Sequence, residues 1–259
     1  MHKPFKLIQL SDPHLISDPN GLVRGFNTYS FLQAVVLHIR KYHTDADAVI
    51  LTGDLSQDGS TESYLHLETL ISDLGFPTYA LPGNHDNCET MRASLTNGII
   101  KLHKDIAFGK WRCLLLNTVV PKQVFGELSD NELGWLHSAL QTDKDTPTLI
   151  TLHHPPVSVD SAWMDRIGLL NADKLMALIQ EAPQVNLVLY GHVHQIHFVQ
   201  SAHTDFLSCP STWRQFKPYA TEFAVDVLPP AYRVLHLSSG GNYKTHVEFV
   251  SIKNALNKK

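Results

Sequence analysis

Along most of the chain, short apolar runs alternate with longer segments whose apolar positions recur every three or four residues. The short runs predict strands at Phe5–Leu10, Ala48–Thr52, Pro77–Leu81, Trp111–Asn117, Thr148–Leu152 and Val185–Tyr190. The longer segments predict helices at Tyr29–Tyr42, Thr61–Leu74, Ser129–Leu140 and Ala172–Gln180. Strand and helix in alternation imply an α/β fold with its sheets covered by helices. Beyond Gly191 the pattern changes to short β-type runs, "IHFVQ", "EFAVDVL", "YRVLHL" and "KTHVEFV", with no helical period between them. No repeat or linker interrupts the pattern. The expectation is one domain over 1–259, with a β-rich part of antiparallel strands from about residue 195.

The polar residues that follow the strands change the picture. "LIQL" leads to Asp12 and His14, "AVILTG" to Asp54, and "TYALPG" to Asn84, His85 and Asp86. "TLITL" leads to His153 and His154, and "LVLYG" to His192 and His194. In α/β sheets, sites collect at the carboxyl ends of strands, where the loops converge. Taken singly, "SDPHL", "TGDLS", "PGNHD" and "HHPP" also read as turns, caps or strand stops. Five coincidences of ligand chemistry, in order and all at strand ends, are hard to explain as turns. The joint reading is a metal site.

Asp, Asn and His without cysteine form a nitrogen/oxygen site suited to Fe, Mn, Zn or Mg. Seven ligand candidates are too many for one tetrahedral zinc, which takes about four. Two metals sharing one carboxylate fit the number, and such pairs serve in-line displacement at phosphorus.

Composition narrows the partners. The 259 residues are 43% hydrophobic and 18% charged, as in an ordinary soluble globular protein, and the net charge is −4 with no basic tract. A nucleic-acid polymer, which calls for a basic stripe, is therefore not expected as partner. No run of about 18 apolar residues offers a transmembrane helix. "MHKPFKLIQLSD" lacks a signal-peptide core, and the three cysteines are odd in number and in no CxxC pair. A reducing cytoplasm is the expected location. Most of the sixteen histidines are isolated, His38, His43, His66, His137 and His246 among them, and read as surface or core residues.

The set "DxH", "GD", "GNHD", a strand-terminal His and "GHxH" resembles the motifs of the calcineurin-like metallophosphoesterases, over Asp12 to His194. "FGELSDNELGWL", "SAWMDRIGLLNA", "GHVHQ" and "PSTWRQFKP" extend the likeness to the bacterial class III 3′,5′-cyclic-AMP phosphodiesterases, nearly end to end. The resemblance implies a four-layer αββα sandwich, two mixed sheets flanked by helices. It implies that Asp12, His14 and His194 bind one metal, that Asn84, His153 and His192 bind the other, and that Asp54 bridges. Two divalent ions are expected, iron and/or manganese first, with zinc or magnesium as alternatives. The implied reaction is hydrolysis of 3′,5′-cyclic AMP to 5′-AMP by a metal-bridging hydroxide, which would lower cellular cyclic AMP.

In that reading Asp54 and His85 are the catalytic residues, with His85 protonating the departing 3′-oxygen. Substrate contacts fall to His14, Asp54, Asn84, His85 and His194. Asp86 either orients His85 or the Asn84 loop, or caps a helix. "PSTWRQFKP" either lines the nucleotide pocket through Trp213, Arg214 or Gln215, or packs as a sheet edge. On an extended strand neighbours point to opposite sides, so His153 and His154 cannot both face one metal; the resemblance assigns His153 to it, which leaves His154 to the neighbouring loop. By the same geometry His192 and His194 would face one cavity, with Val193 turned away. Two alternatives remain at this point. One is a broader phosphodiesterase acting on 2′,3′-cyclic nucleotides or glycerophosphodiesters. The other is a non-catalytic, metal-stabilised nucleotide-binding protein.

Overall fold

The computed structural model describes residues 3–252. Four strands run parallel in sequence order: β1 (Phe5–Leu10), β2 (Ala48–Thr52), β3 (Thr78–Leu81) and β4 (Ile100–Lys101). β11 (Ala231–Leu237) lies antiparallel against the free side of β1, and β12 (Tyr243–Phe249) against β11. The second sheet has the order β5 (Asp105–Phe108), β6 (Trp111–Leu115), β7 (Thr148–Thr151), β8 (Val185–Tyr190), β10 (Thr204–Ser208), β9 (Phe198–Ser201). Its middle, β6 to β10, is parallel, and both edges are antiparallel. Two mixed six-stranded sheets therefore stack face to face.

The core falls into three layers. Leu7, Ile50, Leu115, Leu149, Leu189 and Leu235 fill the space between the sheets. On the outer face of the first sheet, Leu32, Val35, Leu67, Ile71, Met91 and Leu95 come from α1 (Thr28–Tyr42), α2 (Thr61–Ser72) and α3 (Cys88–Leu95). On the outer face of the second, Leu136, Leu140, Leu175 and Ile179 come from α4 (Asp130–Thr142) and α6 (Ala172–Gln180). Together these make the four-layer αββα sandwich.

Helix starts follow local chemistry. The Asn27 Oδ1 accepts the Ser30 N–H at 2.6 Å, the Ser60 Oγ that of Ser63 at 3.2 Å, and the Ser129 Oγ that of Glu132 at 3.1 Å. Each satisfies an amide that the first helical turn leaves without a partner. No helix among the described residues is long and apolar enough to cross a membrane.

Several details differ from the pattern-based expectation. The short elements α3, α5 (Ala162–Asp165), β4, β5 and β10 carry too few periodic residues to be read from sequence. β10 pairs in parallel with β8, so the C-terminal part is not wholly antiparallel. "EFAVDVL" is no strand, despite its alternation. Its only pairing is an isolated Phe216–Val225 bridge, and Val227 is 96% exposed because no partner covers that side.

Candidate metal centre

Every strand that borders the site ends in a donor. Asp12 and His14 follow β1, Asp54 follows β2, Asn84 and His85 follow β3, His153 follows β7, and His192 and His194 follow β8. The first two loops are zipped together, Asp12 N–H to Gly53 O at 3.1 Å and His14 N–H to Asp54 O at 3.0 Å. Asp12, His14, Asp54, His192 and His194 all have positive φ, between 47° and 68°. Left-handed backbone costs a non-glycine residue about 1–3 kcal/mol and persists only where the surroundings impose it. Five of the ten such residues among those described gather at one site and mark where the fold spends stability on side-chain aim.

His192 and His194 therefore sit in a tight turn rather than in an extended segment. Their shared orientation comes from the turn, closed by Val193 N–H to Gly191 O at 2.7 Å. Val193 turns away into the outer core of the second sheet. A Cβ on Gly191 would collide with Ser11 Oγ and Thr52 O, so only glycine lets the β8 exit come this close to β1 and β2.

The donor atoms form two groups. In one, His194 Nε2 lies 3.2 Å from His14 Nε2 and 3.3 Å from Asp12 Oδ1, and His14 Nε2 lies 3.7 Å from Asp54 Oδ2. In the other, His153 Nε2 lies 3.2 Å from Asn84 Oδ1, 3.3 Å from His192 Nδ1 and 3.4 Å from Asp54 Oδ1. Asp54 thus presents one oxygen to each group.

Hydrogen bonds decide which nitrogens are bare. His153 Nδ1 donates to Thr52 O at 2.8 Å, and His194 Nδ1 donates to Arg214 O at 2.7 Å. In the neutral rings both Nε2 atoms then carry a lone pair. Each of these Nε2 atoms sits among carboxylate or amide oxygen and another imidazole nitrogen, a close packing of ligand-type atoms. A cation resolves that crowding, and the fixed tautomers are the outer-shell support that metal-binding histidines use. The donor chemistry fits two divalent ions.

The electrostatics agree. Burial depresses His14 to about 3 and holds His192 well below the ordinary histidine value. Burial would lower His153 too, but the Asp54 and Asp12 carboxylates hold it up at about 9. Burial would raise Asp12 and Asp54, yet His194 beside the first and His153 beside the second keep both carboxyls low. Two buried carboxylates call for positive charge.

His85 is exposed at the rim, its ring edge-on to His14 at 5.0 Å. Its Nδ1 accepts a hydrogen bond from Gln57 Nε2 at 2.9 Å. An amide nitrogen only donates, so the His85 proton sits on Nε2. Gln57 is legible only as the third residue after Asp54, and sequence reasoning missed it. Asp86 does not cap a helix, since Asn87 caps α3. It accepts the Leu55, Ser56 and Gly83 N–H groups at 2.8–3.0 Å and the Tyr64 hydroxyl at 3.1 Å. Those bonds tie the Asp54 loop to the Asn84 loop. His154 hydrogen-bonds Thr118 Oγ1 at 2.7 Å in the loop after β6, although its ring lies only 4.8 Å from that of His192.

A cavity of about 330 Å³ opens over the donors. His14, Asp54, Asn84, His85, His192 and His194 line one end, and Trp163, Phe216 and Phe223 line the other. Trp213 and Arg214 also border it, but Gln215 does not. The Gln215 amide is buried and donates to Ser211 O and Pro229 O, a packing role. A second cavity of about 290 Å³, bordered by Cys88, Met91 and Lys104, reaches none of the donor atoms.

Residues 5–196 match the family model described as calcineurin-like phosphoesterase. A 3′,5′-cyclic-nucleotide phosphodiesterase of Nostoc sp. (strain PCC 7120) is 40% identical over 95% of this chain and 93% of its own. The 3′,5′-cyclic adenosine monophosphate phosphodiesterase CpdA of Pseudomonas aeruginosa is 36% identical over 94% of this chain and 89% of its own. Among solved structures, a dimetal phosphatase from Danio rerio superposes with a TM-score of 0.70 at 14% identity, over 96% of this chain and all of that one.

Proposed function

The chain belongs to the calcineurin-like phosphoesterases, and on that premise we propose that it is a dinuclear-metal phosphodiesterase converting 3′,5′-cyclic AMP to 5′-AMP in the cytoplasm. One observation carries the chemistry: two donor groups share Asp54, one oxygen each, with the His85 Nε2–H at their edge. The substrate is supported by the names of relatives that align along nine-tenths of the chain.

One ion would be held by Asp12, His14, Asp54 and His194, the other by Asp54, Asn84, His153 and His192. Iron and/or manganese suits these donors. When bound, such a pair lowers the pKa of a shared water and neutralises the phosphoryl oxygens. The chain's own residues do the remaining work. Thr52 O and Arg214 O fix His153 and His194 in the tautomer that leaves Nε2 free. Gln57 does the same for His85 in the opposite sense, leaving Nε2–H to protonate the 3′-oxygen as the P–O bond breaks. His14, Asn84 and His85 line the cavity where the phosphate would sit, which would put the departing 3′-oxygen on the His85 side. Asp86 keeps the Asp54 and Asn84 loops in register, so acid and donors stay aligned.

Hydrolysis of cyclic AMP, 2′,3′-cyclic AMP and a glycerophosphodiester by manganese-reconstituted protein tests the reading. The expected result is a kcat/KM for cyclic AMP at least about tenfold above the other two. Equal values on all three would mean a broader phosphodiesterase. No turnover of any would mean a nucleotide-binding protein without chemistry.

A further inference from the structure

The cavity's two ends differ in kind, and the non-metal end has no assigned task. Phe216 stacks on His194, ring centroids 4.1 Å apart and 7° from parallel. Phe216, Trp163 and Phe223 then meet pairwise edge to face, each pair at 5.3 Å. Trp163 stands on α5, Phe216 follows β10 by eight residues, and Phe223 lies in the "EFAVDVL" excursion. Met164, Ile167 and Val225 complete an apolar wall.

Two guanidinium groups rim this wall. Arg24 lies 5.1 Å over the Phe223 ring, and Arg214 lies 4.3 Å over the Phe26 ring. The turn that carries Arg24 is held by paired Val23 and Phe26 backbone bonds of 2.9 and 3.0 Å. Phe223 is 45% exposed, an unusual position for a ring that three neighbours hold in place. Phosphate chemistry has no use for three aromatic rings. A flat, weakly polar group attached to the phosphate by a short spacer does.

We infer that Trp163, Phe216 and Phe223 form a stacking platform for the heteroaromatic base of the substrate, with Arg24, which lies over Phe223, at its rim. This inference rests on the phosphodiesterase reading of the same cavity and specifies what the other half of the substrate must be. Base–aromatic stacking depends on ring faces, and Arg adds cation–π contact. A glycerol group would leave the platform uncovered.

The test is binding of 5′-AMP and ribose 5-phosphate to the metal-loaded protein, followed by calorimetry. The two ligands share the phosphate and sugar and differ by the base. Wild-type protein should bind 5′-AMP at least about tenfold tighter, and Phe223→Ala or Trp163→Leu should each cost 5′-AMP roughly tenfold while moving ribose 5-phosphate by under about twofold. The two variants come from different elements, so a folding defect in one leaves the other informative. Equal affinity of wild-type protein for both ligands, or variants that weaken both alike, would overturn the platform. Hydrolysis separates the two ideas. Base-dependent binding without cyclic AMP turnover removes the proposed activity and keeps the platform. Turnover without base-dependent binding does the reverse.

Discussion

The metal end and the aromatic end of the cavity are held by different means. At the metal end each donor is the exit residue of a central strand, and backbone bonds, strained turns and fixed tautomers lock it. At the aromatic end the rings come from a four-residue helix and two loops, and they hold one another by edge contacts. Rigid strand ends suit chemistry that tolerates little displacement. Loops packed by rings suit recognition, where the ligand itself completes the packing.

If that contrast is right, damage at the metal end should abolish turnover and damage at the aromatic end should weaken affinity. The largest effect belongs to the shared carboxylate. Asp54→Ala should take cyclic AMP hydrolysis to background in a manganese-supplemented assay, because its loss leaves two cations repelling each other. His153→Ala should come next, emptying the second donor group, while His154→Ala keeps both ions and loses less than about tenfold in kcat. Metal titration of the two variants checks this, and the opposite pattern would place His154 rather than His153 at the ion.

His85→Ala should retain both ions and lose about 10²–10⁴-fold in kcat on cyclic AMP. The loss should shrink on a nitrophenyl phosphodiester, whose leaving group needs no proton. Equal losses on both substrates would remove the acid role. Gln57→Leu tests the supporting bond: it frees the His85 tautomer and should lower kcat on cyclic AMP more than on the nitrophenyl ester.

The smallest effect lies outside the cavity. His43 is buried, neither ring nitrogen has a partner, and burial with nearby Lys6 depresses it to about 4. The folded protein holds it neutral while the unfolded chain protonates near 6.5. Its contribution is therefore complete above about pH 6.5 and declines as pH falls toward about 4. Wild-type protein should lose more Tm between pH 7.5 and pH 5 than His43→Leu does. Parallel losses would mean that His43 is not a source of acid sensitivity.

The contrast also explains what could be read in advance. The metal end was legible because each donor sits one to four residues past an apolar run, so local sequence carries both the strand and its ligand. The fold followed from the same alternation, which the parallel middles of both sheets satisfy. The aromatic end was not legible. Trp163, Phe216 and Phe223 lie on three segments with no shared motif, and only tertiary structure brings them together. "PSTWRQFKP" pointed at the right neighbourhood, but Gln215 turned inward to satisfy two carbonyls. Gln57 escaped notice because a single amide three residues past a carboxylate has no signature of its own. The turn at His192–His194 departs from the extended expectation because left-handed φ, uncommon for any non-glycine residue, leaves no periodic trace in the sequence.

The central claim is that one carboxylate holds two ions together, and metal content per chain tests it most directly. Elemental analysis of manganese-reconstituted wild-type protein should find two ions, and Asp54→Ala fewer than one. Two ions retained in Asp54→Ala, or a fully active wild-type protein holding one, would contradict it.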